Sequence, residues 1–153
     1  MRGEIMKKIF NYVLAYLFLA VTSVLGFYVI FIEGRRFFFT LLGLTSARLQ
    51  TINAVDKFVV IVLGIAFLGF FMFNEGYFRK RAENSMKDLL RAVLTVSGIL
   101  MFVWAGFQAP FFFSVGYKLG LPEIISYLLK LIGGSLLIFV SSRYLKNEYL
   151  HSV

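Results

Sequence analysis

The chain has 153 residues, of which 59% are apolar and 18% aromatic, with a net charge of +8 and a mean hydropathy of +0.82. That balance excludes an ordinary water-soluble globule, in which about half the residues are apolar and about a quarter charged. It contains no cysteine and one histidine, His151 near the end of the chain, so disulfide frameworks, thiolate nucleophiles and Cys/His zinc sites are excluded as well.

A helix needs about 20 apolar residues to cross about 30 Å of hydrocarbon, and four stretches meet that demand. The first is 9–32, entered after Lys7-Lys8 and closed by Glu33-Gly34-Arg35-Arg36. A basic start before an apolar run also suits a secretory signal, with Ala20-Val21-Thr22-Ser23 as the cleavage site. At 24 residues, however, the run is long for a signal and right for a tilted span.

The connection from Glu33 to Lys57 is the longest piece that does not cross. Phe38, Leu41, Leu42, Leu49 and Ile52 share one helical side, whereas Arg36, Gly43, Arg48, Gln50 and Asn53 fall mostly elsewhere. This pattern predicts a short helix lying in the membrane interface, with a structured loop packed over the spans as the alternative.

The second span, 56–74, is bounded by Asp56-Lys57 and Asn74-Glu75; the third, 92–113, follows Arg91 and carries Pro110 near its far end. The fourth, 121–142, opens on Leu121-Pro122, where the missing proline N–H costs nothing, and is interrupted by Lys130. The expected fold is all-α: an integral membrane bundle of four transmembrane helices in a single domain, 1–153, with a short interfacial helix between spans 1 and 2.

Four spans put both termini on one side. That side carries ten of the sixteen basic residues, namely Arg2, Lys7, Lys8, Arg79, Lys80, Arg81, Lys87, Arg91, Arg143 and Lys146. The other side has Arg35, Arg36, Arg48, Lys57 and Lys118. Basic residues resist translocation, so both termini are expected in the cytoplasm, with the chain in the cell membrane. Positive charge placed at span ends serves anionic headgroups, and no nucleic-acid motif accompanies it; the expected partners are membrane lipids and a membrane protein or a second copy, and not nucleic acid.

In lipid, helices associate through small residues and through polar side chains that find partners. On the first span Asn11, Ala15, Phe18, Thr22, Gly26, Val29 and Glu33 form such a face, and on the third Arg91, Thr95, Gly98, Phe102, Ala105 and Ala109 form another. Gly64 and Gly69 on the second lie five apart, about 140° around the helix, and do not make one stripe. On the fourth, Glu123, Ser126, Lys130, Gly133 with Gly134, Leu137 and Ser141 oppose Leu128, Ile132 and Phe139. Gly26, Gly98, Ala105, Gly133 and Gly134 are the candidate close contacts.

Lys130 is the sharpest feature. It lies seven residues past Glu123, about 10 Å deeper along the axis. In one reading it reaches back to the interface as an anchor; in the other it faces the bundle and pairs with a carboxylate, for which Glu33 and Asp56 are the candidates and Glu33 is preferred. The triplets Phe37-Phe38-Phe39 and Phe111-Phe112-Phe113 read as interfacial anchors or as an outer apolar groove. Trp104, mid-span, reads as packed core or lipid-facing filler.

Every carboxylate lies outside a span or at its edge, which disfavours proton-coupled transport. Clustered acids, phosphate-binding glycine loops, a metallopeptidase helix and a Ser–His–acid set are all missing from the sequence. The chain is therefore expected to be no enzyme and to need no catalytic residue, cofactor or metal. The leading function is a non-catalytic structural or accessory subunit of a membrane assembly. Alternatives are a small oligomeric transporter or channel in which the Lys130 face and Gln108 line an anion route, or a lipid- or quinone-binding membrane protein.

Overall fold

The computed structural model describes the backbone of residues 2–43, 49–115 and 120–146 and the side chains of 5–43, 53–112 and 120–143. Arg48, Lys118, Glu148 and His151 lie outside the described residues, as do the side chains of Leu49, Gln50, Ile52, Phe113 and Lys146. Among the described residues all but Ser85 and Gly120 are helical. Helix α1 is Arg2–Phe27, followed by a π-helical turn at Tyr28–Glu33 and by α2, Gly34–Gly43; then come α3, Leu49–Asn84, α4, Met86–Val115, and α5, Leu121–Lys146.

Residues 5–43, 53–84, 86–112 and 121–143 are each long and apolar enough to cross a membrane. The chain is thus an all-α, multi-pass membrane bundle of four crossing helices.

α1 and α3 run antiparallel. The amide of Asn11 donates to the Ala82 carbonyl at 3.3 Å and the Tyr12 hydroxyl to Glu83 at 2.8 Å, while at the other end Arg35 meets Asp56. α4 packs on both, and their shared core holds Ala15, Leu19, Val29, Phe78, Leu89 and Val96. A second cluster, Ile30, Val59 and Leu63 with Phe38 and Phe67 against it, closes the far end. Among the described residues α5 packs on α4 alone, so it lies at the edge of the bundle and not in a closed square of helices.

The first-span face expected from sequence is the buried one: Ala15, Thr22, Gly26, Val29 and Glu33 are all buried, with Asn11 and Phe18 half-buried. Thr22 returns its hydroxyl to the Phe18 carbonyl at 2.8 Å, which keeps a polar group satisfied where water is absent.

In the connection over 35–53 the described residues are helical and packed over the spans. α2 prolongs the first span through the π turn and packs against α3 and α4, and Leu49 onward already belongs to α3. The physical reason lies in the π turn, where the Gly34 N–H bonds back to the Val29 carbonyl. This wider turn admits an extra residue, so Val29, Ile30, Glu33 and Gly34 are all buried. Gly34 then allows α2 to come in close: a Cβ there would stand 3.1 Å from Leu63 and 3.4 Å from Phe107.

The basic segment after the second span is also helical. Arg79, Lys80 and Arg81 occupy the last turns of α3, and Ser85 alone separates it from α4. Ser85 caps α4 by accepting the Asp88 backbone N–H at 3.1 Å. Replacing Ser85 with Ala is expected to cost about 1 kcal/mol in detergent unfolding. Ser142→Ala, on an exposed side chain that bonds within its own helix, should change little, and equal effects would remove the cap from the account.

Candidate functional site

The α4–α5 pair is built on small residues. Gly98 and Gly134 face one another so closely that a Cβ on Gly98 would lie 3.0 Å from the Gly134 carbonyl oxygen, and one on Gly134 would lie 3.1 Å from that of Gly98. A Cβ on Gly133 would lie 3.3 Å from the Met101 sulfur, and Ala105 is fully buried. Nearer the α3–α4 break, the hydroxyls of Thr95 and Ser141 are 2.6 Å apart, and Ser141 donates to the Arg91 carbonyl at 3.2 Å. On α1, Gly26 admits the ring of Phe70. A Cβ at Gly64 would stand 4.0 Å from the Phe31 ring, and at Gly69 one would meet nothing within 4 Å.

Further along the same pair, near α2, lies Lys130. Its ammonium donates to Gln108 Oε1 at 2.8 Å and stands 4.3 Å from the centre of the Trp104 ring. Neither proposed carboxylate is in an ion pair with it. Asp56 is taken by Arg35 through two hydrogen bonds of 2.8 and 2.7 Å. Glu33 bonds elsewhere, accepting the Tyr28 hydroxyl at 3.3 Å.

Glu33 is only 3% exposed, and its second oxygen has no hydrogen-bond partner among the described residues. A buried acceptor left unmade costs about 1–3 kcal/mol, and this one sits on the π turn, a distortion that often marks functional positions. The Tyr28 ring meets Trp104 edge-on at 5.4 Å. Glu33, Tyr28, Trp104, Lys130 and Gln108 thus form one run of contacts from the first span to the last.

Lys130 and Gln108 also line a cavity of about 410 Å³ between α2, α4 and α5, with Arg36 and Thr40 on one wall and Glu123 and Ser126 on another. An adjoining apolar cavity of about 520 Å³ shares Pro122, Ser126 and Lys130 with it and is walled by Met101, Ile125 and Leu129. Pro110, inside α4, leaves the Gly106 carbonyl without its helical donor just beside this region. The phenylalanine triplets contribute to internal packing: Phe37 meets Phe107 at 5.5 Å and Phe112 meets Tyr127 at 4.3 Å.

Chemically, the arrangement holds a cation at depth by an amide oxygen and an aromatic face, each favourable where the dielectric is low. Among the described residues no three His, Asp or Glu side chains gather into a metal-binding group. Tyr28 and the π turn escaped sequence reasoning, since an apolar run gives no local sign of a widened turn. Comparison with protein-family models, with curated proteins and with solved structures finds no match to this chain.

Proposed function

We propose that the chain is a non-catalytic subunit of a membrane assembly that docks another membrane-embedded chain on the outward face of α3. It lies in the cell membrane with both termini cytoplasmic, a reading supported by the ten basic residues that four crossings place on one side.

The observation that carries the reading is the pair Gly69 and Gly76. They are seven residues apart, hence on one side of α3, with the exposed Ala66 alongside, and at both a Cβ would meet nothing within 4 Å. Glycine costs a helix about 1 kcal/mol relative to alanine, and neither lipid at Gly69 nor the membrane boundary at Gly76 returns it. Close approach of another helix does.

The test is recovery of the chain from native membrane without crosslinker. Wild type should elute in a complex, and Gly69→Leu/Gly76→Leu should elute free while its melting temperature holds or rises, because both substitutions enter open space and improve helix propensity. Wild type recovered alone, or a complex indifferent to the double substitution, would overturn the subunit reading. A lone symmetric oligomer with salt-dependent conductance in liposomes would support a transporter in its place.

A further inference from the structure

The charges around the cavity between α2, α4 and α5 are unusual in being apart. Arg36 and Glu123 line the same space, yet among the described residues neither is in an ion pair, with the other or with anything else. Lys130 brings a second cation to the wall, already steadied by Gln108. Two cations and one carboxylate therefore line the site without pairing, and an occupant carrying both signs would meet each of them.

The apolar cavity that shares Pro122, Ser126 and Lys130 supplies the other half of the ligand's chemistry. A polar chamber with separated charges joined to an apolar one, on helices that stand in a bilayer, matches an amphiphile and not a free ion. We propose that the two cavities hold one phospholipid with a primary-amine headgroup. Its phosphate lies between Arg36 and Lys130, with the Ser126 hydroxyl as a further donor. Its ammonium lies on Glu123, and the upper part of one acyl chain runs along Ile125, Leu129 and Met101. The three hydrogens of a primary ammonium can donate to the carboxylate, whereas a trimethylated head cannot, and an anionic head would leave Glu123 opposed.

The experiment places the full chain in nanodiscs of phosphatidylethanolamine, phosphatidylcholine and phosphatidylglycerol in equal parts, extracts it gently, and weighs the lipids retained by native mass spectrometry. Phosphatidylethanolamine should be enriched about fivefold over each of the others at one per chain, the scale of a single well-formed polar contact. Glu123→Gln should reduce its preference over phosphatidylcholine to about parity while retention of phospholipid as such persists. Arg36→Gln should lower retention of all three. Both side chains are exposed, so the melting temperature should stay put. Ser126→Phe, at the junction of the cavities, should abolish retention without touching a charge. Preferential retention of phosphatidylglycerol that ignores Glu123→Gln, equal retention of all lipids, or enrichment unmoved by Ser126→Phe would each overturn the assignment.

Discussion

Gly98→Leu should destabilise the protein by about 3 kcal/mol, at the upper end of what overpacking costs. A Cβ at this position would lie 2.7 Å from Ile138 Cγ1, 3.0 Å from the Gly134 carbonyl oxygen and 3.3 Å from Leu137 Cβ. Ile138 can turn away, but the Gly134 backbone cannot, so the helices must separate. Because α5 rests on α4 alone among the described residues, separation there has no second contact to fall back on, and the Thr95–Ser141 hydroxyl bond goes with it. Gly98→Ala should show the same effect at about half the size. Gly106→Ala, on the same helix with nothing within 4 Å of the added atom, should be neutral or stabilising by up to about 1 kcal/mol. Denaturant titration in mild detergent measures all three. If Gly98→Leu and Gly106→Ala behave alike, the two glycines do not differ in packing as described.

The sequence pointed to this seam because lipid-embedded helices leave a readable mark where they touch. Spacing of three and four puts Thr95 and Gly98 on one side of α4 and Gly134 and Ser141 on one side of α5, and Ala15, Thr22 and Gly26 likewise on α1; that the α4 and α5 sides face one another is what the structure adds. Such residues have no reason to be small or polar on a lipid face, so their positions report contact directly. The region after Glu33 was harder. Phe38 and Leu42 have the spacing of an interfacial helix, but that spacing does not distinguish a face turned to headgroups from one turned to α3. What decides is the π turn, which depends on packing between spans and has no sequence signature of its own. Likewise, charges mark the end of the apolar stretch at Glu75, yet α3 runs on through Asn84, because Arg79, Lys80 and Arg81 are good helix formers and a helix does not stop where the hydrocarbon does.

Lys130 has a nearer partner than either carboxylate, the amide of Gln108. α4 and α5 are antiparallel, and Gly134 opposite Gly98 sets their register, which brings Lys130, four residues before Gly134, level with Phe102, four after Gly98. Gln108 stands six residues further along α4, about 9 Å on, and Lys130 reaches it by extending its side chain. Spacing alone does not disclose that reach, nor the share taken by Trp104, since a ring in mid-span serves equally well as filler.

The pair makes a sharper test than replacing Lys130 alone. Gln108→Leu removes the acceptor from an ammonium that stays in a poorly hydrated place, and the loss should be about 2 kcal/mol, in the range of hydrogen bonds to charged groups. Lys130→Leu removes the charge itself, leaving only the amide oxygen short of a donor and the Trp104 face without its cation, so its cost should be smaller, about 1 kcal/mol. The double substitution deletes both partners and leaves neither without the other, so it should return close to wild-type stability, as replacing a polar pair whole often does. The cycle then gives a coupling of about 2–3 kcal/mol. A side chain that merely reaches for the interface would behave otherwise: Gln108→Leu would be nearly silent, Lys130→Leu would stabilise, and the two effects would add.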